Sequence, residues 1–480
     1  MLKVSPILPI AVIGSGPIGL AAAAHLISRG LPVRLYEAAP AIAPNLRDWG
    51  HVRLFSIWDQ CVDEAALTLL KGHGWRSPAG NMLPLGRDLV EHYLEPLAAT
   101  PEMAGVIETD ARVVSISRFG LDRVGSRDRE SRPFVIRLED GKGGTREAMA
   151  RAVIDASGTW QNPNPLGANG WPAEGEAAFR DRIAYGIPDF SGRDRPTYAG
   201  VRTLVLGGGH SAANALLDLA ALAGQDPGTK IVWAVRGDSL AKVFGGGADD
   251  QLPARGQLGE RLRDLVNAGR LEVIMSFATT ALRQNGSGIH VEGITADGLR
   301  RVGPFDRIIT ATGQRPDFSF ARELQLDLHP VVESTRTLGP LIDPNIHSCG
   351  TVPPHGWRDL AHAEPGYFVV GIKSYGRAPT FLLLTGYEQV RSIAAHLAGD
   401  QAAADDVRLI LPETGICSAT LEEIAPGVLC CIGDHEAELA QAGGCCGGPP
   451  PQPATTCCVA DHEAKLAGQG GCGCRVGERQ

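Results

Sequence analysis

The sequence predicts an α/β fold with two βαβ-based domains, followed by a Cys-rich C-terminal tail. Two glycine-rich turns predict the two domains, because each lies between an apolar strand and an Ala/Leu-rich helix. The cysteines predict the tail: the chain has 11, only Cys61 and Cys349 lie outside the span Cys417 to Cys474, and nine therefore lie within it.

The first turn follows an apolar strand that ends at Ile13. Gly14, Gly16 and Gly19 stand in G-x-G-x-x-G order, a helix follows, and a second strand ends on Glu37. In a Rossmann-like dinucleotide site such glycines serve the tight turn, the approach of the pyrophosphate and the close packing of helix on strand. An acid at the end of the second strand binds a ribose hydroxyl. The residues predicted to contact a dinucleotide here are Gly14, Ser15, Gly16, Pro17, Gly19 and Glu37.

The pattern recurs in "VRTLVLGGGHSAANALLDLAAL". Gly207, Gly209 and Ala212 form G-x-G-x-x-A after a second apolar strand, and Ser211 is a candidate phosphate donor. His210 is as consistent with a structural role as with ligand binding. A second Rossmann-like dinucleotide-binding domain is therefore expected.

The strand that follows the second turn, "KIVWAVRG", ends on Arg236 where the first domain has an acid. A guanidinium pairs with a 2′-phosphate, whereas a carboxylate repels it, so Arg236 favours NADP(H) over NAD(H). A solvated charge at a strand end is the alternative. An acid in the first site and an arginine in the second predict FAD in the first domain and NADPH in the second.

These motifs resemble those of the two-dinucleotide-binding-domain flavoproteins, which include thioredoxin reductases, flavin-containing monooxygenases and related NADPH oxidoreductases. Three further stretches carry the resemblance: "AVIDASGTWQNPNPLG" with Gly158, "RIITATGQRPDF" with Gly313, and "YFVVGIKSYGRAPTFLLLTGYEQ" with Gly371 and Thr380. The resemblance implies that these residues contact the cofactors. It also implies that a helix beginning near Thr380, after Pro379, directs its N-terminus at the flavin.

The resemblance implies an NADPH domain inserted into a discontinuous FAD domain. The predicted domains are residues 8–165 and 331–400 for FAD, 166–330 for NADPH, and 401–480 for a C-terminal extension with Cys-rich repeats at 430–446 and 457–474.

The branch of the family depends on what touches the flavin. Dithiol reductases need paired cysteines there, but residues 166–330 contain no cysteine and Cys61 stands alone. Flavin monooxygenases need no such pair. The Baeyer–Villiger pattern is broken, since Pro196 stands where its histidine would fall, which leaves oxidation of a sulfur, nitrogen or metalloid substrate open.

The segment "NLRDWGHVRLFSIWDQC" runs toward the flavin in the proteins that the chain resembles. It supplies polar and aromatic candidates, for which packing and surface charge are equally good interpretations, and no catalytic residue is assigned. The candidates are Arg47, Trp49, His51, Arg53 and Trp58.

The tail contains two repeats 27 residues apart, each with a short predicted helix between cysteine pairs. If the helices lie antiparallel, the pairs form two four-thiol clusters suited to soft metal or metalloid ions. The candidate ligands are Cys430, Cys431, Cys445, Cys446, Cys457, Cys458, Cys472 and Cys474. A zinc site that also uses His435 and His462, redox-active thiols, and a disordered tail are the alternatives.

The sequence thus predicts an NADPH-dependent FAD monooxygenase acting on a small heteroatom or metalloid substrate, with a role in arsenic or mercury detoxification. The alternatives are a reductase that passes electrons to the tail thiols or a bound ion, and a flavin redox sensor with a metal-sequestering tail. The net charge of −9 argues against a nucleic-acid partner, and no apolar run predicts a membrane span. Clustered thiols favour a cytoplasmic location, and homo-oligomerisation is left open.

Overall fold

The computed structural model of the chain describes residues 8–247, 250, 252–346, 352–378 and 381–408. The predicted repeats, their eight candidate metal ligands and Thr380 lie outside the described residues. Within the described part of the chain, no helix is both long and apolar enough to cross a membrane.

Sixteen strands are found in the described residues. They are β1 (Ile10–Ile13), β2 (Val33–Tyr36), β3 (Ile107–Glu108), β4 (Arg112–Arg118), β5 (Phe134–Glu139), β6 (Thr145–Ala150), β7 (Ala152–Asp155), β8 (Ile183–Tyr185), β9 (Arg202–Leu206), β10 (Lys230–Ala234), β11 (Glu272–Ile274), β12 (Ala278–Asn285), β13 (Gly288–Thr295), β14 (Gly298–Phe305), β15 (Arg307–Thr310) and β16 (Tyr367–Val369).

Fifteen α-helices are found in the described residues. They are α1 (Pro17–Ser28), α2 (Pro44–Asp48), α3 (Trp58–Cys61), α4 (Glu64–Gly72), α5 (Gly86–Leu89), α6 (Glu95–Ala98), α7 (Pro101–Ala104), α8 (Arg195–Tyr198), α9 (His210–Gln225), α10 (Ala241–Phe244), α11 (Pro253–Asn267), α12 (Gly339–Ile342), α13 (Trp357–Leu360), α14 (Leu383–Leu397) and α15 (Gln401–Asp405).

Two parallel sheets organise the molecule. The first has the order β16-β7-β1-β2-β3 and the second the order β11-β10-β9-β15-β8. Strand β16 joins the first sheet only after the chain has built the whole of the second. The predicted insertion of one Rossmann-like domain into another is therefore confirmed. We call the parts that carry the two sheets the first and second domains.

The first sheet is covered on both faces, as a parallel sheet requires. Successive side chains of β1 point to opposite faces: Ile10 joins a core with Leu20 of α1 and Val390 of α14, and Ala11 joins a different core. That second core is closed by the antiparallel sheet β4-β5-β6 and includes Phe134. The alternation explains why β1 reads as a continuous apolar run.

The two chain segments that connect the domains run side by side. Asn164 donates its backbone N–H to the Gly313 carbonyl oxygen at 2.9 Å, and Arg315 donates to the Asn162 carbonyl oxygen at 3.0 Å. The Thr159 hydroxyl adds a bond to the side chain of Gln314 at 3.0 Å. The segment that leaves the first domain and the segment that returns to it therefore form one short antiparallel ribbon.

The end predicted for the first domain, residue 400, is too early. Ala404 of α15 is fully buried, and its carbonyl oxygen accepts a hydrogen bond from the Ser392 hydroxyl at 2.7 Å. The Arg408 N–H donates to Glu388 at 2.8 Å, and the Asp405 carboxylate accepts from the Trp357 indole at 2.8 Å. Residues 401–408 thus belong to the first domain, because they cap α14 rather than begin a separate tail.

Candidate dinucleotide sites

The first glycine turn is held by close backbone contacts. Gly14 has a φ of +94°, and a Cβ placed on it would lie 2.8 Å from the Ala156 carbonyl oxygen. A Cβ on Gly19 would lie 1.9 Å from the Gly14 carbonyl oxygen, so α1 packs directly against the turn. Only glycine fits at both positions, for the reasons that the motif predicts.

Gly16 differs from the other two glycines, since a Cβ there would meet no atom within 4 Å. It stands at the N-cap of α1, where no side chain caps the helix, and Pro17 follows. The first N–H groups of the helix thus face an open space with the positive end of the helix dipole behind them. This cradle fits the pyrophosphate of a dinucleotide such as FAD.

Glu37 lies immediately after β2, with its carboxylate directed at the turn. It accepts hydrogen bonds from the Ser15 N–H at 2.9 Å and the Ser15 hydroxyl at 2.7 Å, and from the Ala39 N–H at 2.9 Å. Ser15 is fully buried. Glu37, which is predicted to bind a ribose, therefore stabilises the first glycine turn through these hydrogen bonds. The sequence pattern does not reveal this role, because it depends on the direction of the Ser15 side chain.

The second turn repeats this backbone arrangement. Gly207 has a φ of +135°, and a Cβ on it would lie 2.2 Å from the Ala311 carbonyl oxygen. Gly209 caps α9 with open space around it, and Ala212 is buried at the position that corresponds to Gly19. Ser211 is exposed in the first turn of α9. The geometry fits a second dinucleotide.

Arg236 lies just beyond β10, whose last residue is Ala234. The guanidinium is exposed and donates a hydrogen bond to the Ala168 carbonyl oxygen at 3.3 Å. It follows β10, the strand after the glycine turn and α9, and a residue at this position contacts the ribose 2′-substituent in Rossmann-like domains. Its role toward NADPH stays a prediction.

The two exits from the domains lie beside the turns. Gly158 follows β7 with a φ of +74°, and Gly313 follows β15 with a φ of +85°. Each lies two residues after an alanine, Ala156 or Ala311, whose carbonyl oxygen is in close contact with one of the glycine turns. The motifs "DASG" and "TATG" are thus structural counterparts at the carboxyl edges of the two sheets.

The closing segment reaches the same edge of the first sheet. Gly371 follows β16 with a φ of +69°, and its N–H donates to the Gln389 side chain at 2.9 Å. The helix expected near Thr380 begins at Leu383, because Leu382 is still extended with φ −116° and ψ 150°. Phe381 packs edge-on against Tyr375 at 5.3 Å between ring centroids.

A buried charge pair lies beneath these turns. Lys373 Nζ is 2.7 Å from Asp155 Oδ2, and both side chains are almost completely buried. Burial acts to raise the pKa of Asp155, but the Lys373 ammonium and hydrogen bonds from Ser157 outweigh it and hold the pKa below its ordinary value. Sequence analysis missed this pair, because the two residues lie far apart in the chain.

Cys61 is the only cysteine among the described residues. It is fully buried, and its Sγ donates a weak hydrogen bond to the Ser56 carbonyl oxygen at 3.6 Å. Burial raises the pKa of the Cys61 thiol to about 12. The thiol stays protonated at neutral pH, so Cys61 is not a nucleophile for disulfide exchange.

Three candidates of the segment after β2 have structural partners. Trp58 is buried in the core of the first domain. Arg47 pairs with Glu95 at 2.7 Å, and Arg53 donates to the Leu83 carbonyl oxygen at 2.8 Å. Packing and surface charge therefore explain the presence of these three residues without a role at the flavin.

The remaining two candidates face the second domain. Trp49 packs against Trp160 with ring centroids 6.4 Å apart, and the Trp160 indole donates to Asp48 at 3.1 Å. Arg193 of the second domain donates to the Asp48 carbonyl oxygen at 3.2 Å. His51 has a buried Nε2 without a hydrogen-bond partner among the described residues. These residues form a contact between the domains.

The second glycine turn takes part in this contact. His210, the first residue of α9, packs edge-on against Phe55 with ring centroids 5.3 Å apart. The histidine left open by the sequence therefore joins the second turn to the first domain. Within the described part of the chain, no three His, Cys, Asp or Glu side chains are grouped so as to hold a metal ion.

Comparison with known proteins supports the fold. No protein-family model and no curated sequence matches the chain. Among solved structures, the chain is similar to bacillithiol disulfide reductase Bdr (YpdA) from Bacillus cereus, with a TM-score of 0.61 and 15% identity over 82% of this chain and 99% of that one.

Two monooxygenases are also similar. DfoA bound to FAD, the cadaverine monooxygenase of desferrioxamine biosynthesis from Erwinia amylovora, matches with a TM-score of 0.57 and 14% identity over 87% of this chain and 100% of that one. A double mutant of a flavin monooxygenase from Stenotrophomonas maltophilia matches with a TM-score of 0.52 and 21% identity over 82% of this chain and 99% of that one. The chain therefore has the fold of the two-dinucleotide-binding-domain flavoproteins.

Proposed function

We propose that the protein is an NADPH-dependent FAD oxidoreductase that acts as a monooxygenase on a heteroatom or metalloid substrate. The observation that carries the proposal is the pair of glycine turns, each at the carboxyl edge of its own parallel sheet and each with an uncapped helix N-terminus behind it. Such a pair serves two dinucleotides, and the fold is shared with flavoprotein reductases and monooxygenases.

Each cofactor has its own set of residues. FAD supplies the chemistry of accepting a hydride from NADPH and passing two electrons to dioxygen. The Gly14 turn and α1 bind its pyrophosphate, and Glu37 orients the adenosine end. The Gly207 turn and α9 bind the pyrophosphate of NADPH, and Arg236 pairs with its 2′-phosphate.

Within the described residues, the cysteine content favours a monooxygenase over a dithiol reductase. Reduction of a disulfide requires a thiolate beside the flavin. Cys61 is buried, with its pKa raised to about 12 by burial, so it cannot supply one at neutral pH. Oxygen chemistry at a reduced flavin needs no protein thiol.

The tail directs the choice of substrate. Its eight paired cysteines are soft ligands, which select trivalent arsenic, mercury and similar ions over hard ions. A metalloid captured by the tail and oxidised at the flavin is the interpretation that uses both parts of the chain. Oxidation of trivalent arsenic to the pentavalent state is a role in arsenic detoxification, whereas a role toward mercury requires reduction of Hg(II) and falls to the reductase alternative. Reduced thiols suit the cytoplasm.

The second candidate is a reductase that passes electrons from FAD to the tail thiols or to an ion that they bind. The duplicated cysteine pairs favour it, since two closely spaced pairs in each repeat, three of the four pairs being of adjacent residues, suit a dithiol–disulfide cycle.

The test follows NADPH oxidation with and without dioxygen, in the presence of trivalent arsenic or an organic sulfide. A monooxygenase consumes one dioxygen per NADPH and forms an oxygenated product, whereas a reductase works without dioxygen. A full chain with the eight tail cysteines replaced by serine separates the two with the organic sulfide as substrate, because the monooxygenase does not need the tail to oxidise it, whereas the reductase loses its electron acceptor. Absence of both activities would leave a flavin redox sensor.

A further inference from the structure

The buried pair of Lys373 and Asp155 has no part in the proposed binding of either dinucleotide. It lies at the carboxyl edge of the first sheet, between the two strands that carry the exit turn and the closing turn. Lys373 follows Gly371 by two residues, and Asp155 is the last residue of β7. The exposed fractions of the two side chains are 1% and 0%. A charge pair so deeply buried is expensive to desolvate, and its presence calls for a reason.

Every polar atom of the cluster has a partner. Asp155 accepts hydrogen bonds from the Ser157 N–H at 3.1 Å, the Ser157 hydroxyl at 2.6 Å and the Tyr367 hydroxyl at 2.8 Å, besides the lysine. The Lys373 ammonium also donates to Ser157 Oγ at 3.0 Å. Its remaining side faces the rings of Phe318 and Phe320, whose centroids lie 4.9 Å and 4.5 Å from Nζ.

The second domain shows that such a turn folds without the charges. Thr310 stands at the position of Asp155, and its hydroxyl bonds to that of Thr312 at 3.0 Å. Thr312 stands at the position of Ser157, and the following Gly313 has the same left-handed conformation as Gly158. Neutral hydroxyls therefore suffice to hold the exit turn, so the pair in the first domain serves something that the second domain lacks.

What the first domain has in addition is the closing segment. Through Lys373 this segment is bonded to the residues on both sides of Ala156, and the Ile372 side chain lies 3.9 Å from the Cβ position of Gly158. One ammonium thus connects two left-handed turns, at Gly158 and Gly371, that come from distant parts of the chain. Both turns were predicted to contact FAD.

We propose that Lys373 is a positioning residue for FAD: with Asp155 it fixes the Gly158 and Gly371 turns against each other, so that the flavin end of the cofactor meets a preformed surface. This inference rests on the proposed function, because it takes FAD as the ligand of the first domain. Preformed turns bind a ligand more tightly, since the cost of ordering them is already met in the free protein.

The test uses the full-length chain and FAD itself. Lys373→Met keeps the length of the side chain and removes the charge, leaving Asp155 buried without its partner. We expect the FAD dissociation constant of the apoprotein to rise at least about tenfold, and the rise in melting temperature on adding FAD to shrink. The double variant Asp155→Asn/Lys373→Met restores a neutral cluster like that of Thr310 and Thr312 and should recover part of the affinity.

Two further variants control the result. Thr310→Val removes the corresponding hydroxyl in the second domain and should leave the FAD dissociation constant within about twofold. Ser157→Ala removes the hydroxyl that joins the ammonium to the exit turn but keeps the ion pair, and should raise the constant at least about threefold. If Lys373→Met does not fold, the FAD dissociation constant of Ser157→Ala tests the proposal instead.

The outcomes are distinct. A lower melting temperature of apo Lys373→Met, with an unchanged FAD constant and an unchanged FAD-induced rise, would show a purely structural pair and overturn the inference. If Lys373→Met cannot be made, an unchanged FAD dissociation constant in Ser157→Ala would also overturn the inference. A wild-type chain that binds no FAD would instead overturn the proposed function, and the inference with it.

Discussion

The two glycine turns share one backbone arrangement but differ in exposure. Gly14 and Gly207 both have positive φ angles and both press on an alanine carbonyl oxygen. In the first turn Ser15 is fully buried and bonded to a buried Glu37. In the second turn the residues from Gly208 to Ser211 are exposed. The difference suits a resident cofactor in the first site and a co-substrate that must leave in the second.

The largest expected effect comes from placing a side chain in each turn. Gly14→Ala forces a Cβ to within 2.8 Å of a backbone oxygen at a left-handed residue, so we expect a colourless protein. Gly207→Ala makes the corresponding clash in the second domain and should bind FAD normally but lose affinity for NADPH. The measurements are the flavin content by absorbance and the NADPH dissociation constant.

Gly30→Ala is the matched control for these substitutions. Gly30 also has a positive φ, of +68°, but a Cβ there would meet no atom within 4 Å. Backbone strain alone costs about 1 kcal/mol of stability and should leave both cofactors bound. Loss of FAD in Gly207→Ala would contradict the independence of the two sites.

Acid should weaken the first domain through His362. Its Nδ1 accepts a hydrogen bond from the Asp327 N–H at 3.2 Å, and burial lowers the pKa of His362 to about 4 from an ordinary 6.5. Between these values the unfolded chain binds a proton that the folded chain does not, so the free energy of unfolding falls as the pH drops from about 6.5 to about 4. The loss is at most about 3 kcal/mol.

Denaturant unfolding at several pH values measures this effect. His362→Asn retains an acceptor for the Asp327 N–H but does not titrate, so its stability should change less between pH 7 and pH 4. His73→Asn, at an exposed histidine paired with Glu102, is the control and should keep the wild-type pH dependence of this interval nearly unchanged. Equal slopes for wild type and His362→Asn would refute the assignment.

Glu37→Gln tests whether the buried brace of the first turn matters. The amide keeps one oxygen for the two bonds from Ser15, but its NH2 group replaces the oxygen that accepts from the Ala39 N–H, and it loses the charge that strengthens all three bonds. We expect FAD binding to weaken by about 2 kcal/mol, measured by reconstitution of the apoprotein. Ser211→Ala in the exposed second turn should leave FAD binding unchanged. A Glu37→Gln protein that binds FAD as tightly as wild type would assign the brace to folding alone.

Arg236→Ala tests the second site. Loss of a charged hydrogen bond to the 2′-phosphate should erode the preference for NADPH over NADH by about 1–3 kcal/mol, because the exposed guanidinium is partly replaced by water. The ratio of kcat/KM for the two nucleotides measures it. Lys242→Ala, at another exposed cation of the second domain, is the control, and a larger effect there would transfer the role to Lys242.

Local motifs made much of this molecule predictable. The order strand, glycine turn, helix and strand is a property of neighbouring residues, so both glycine turns were predicted correctly. The insertion of the second domain, which the resemblance to the flavoproteins implied, is confirmed by the order of the strands. The start of α14 and the end of the first domain were predicted with errors. Leu382 is extended, so α14 begins after it, and residues 401–408 are held by contacts to Glu388 and Trp357, which lie far from them in sequence.

The sequence by itself determined the two dinucleotide turns, the acid after one and the arginine after the other, and the concentration of thiols in the tail. These depend on residue type and short spacing alone. Only the tertiary structure decided that Glu37 braces Ser15, that Phe55 meets His210, and that Lys373 pairs with Asp155. Each of these contacts joins separate parts of the chain, and side chains are brought together across such distances by the packing of the sheets and helices that carry them.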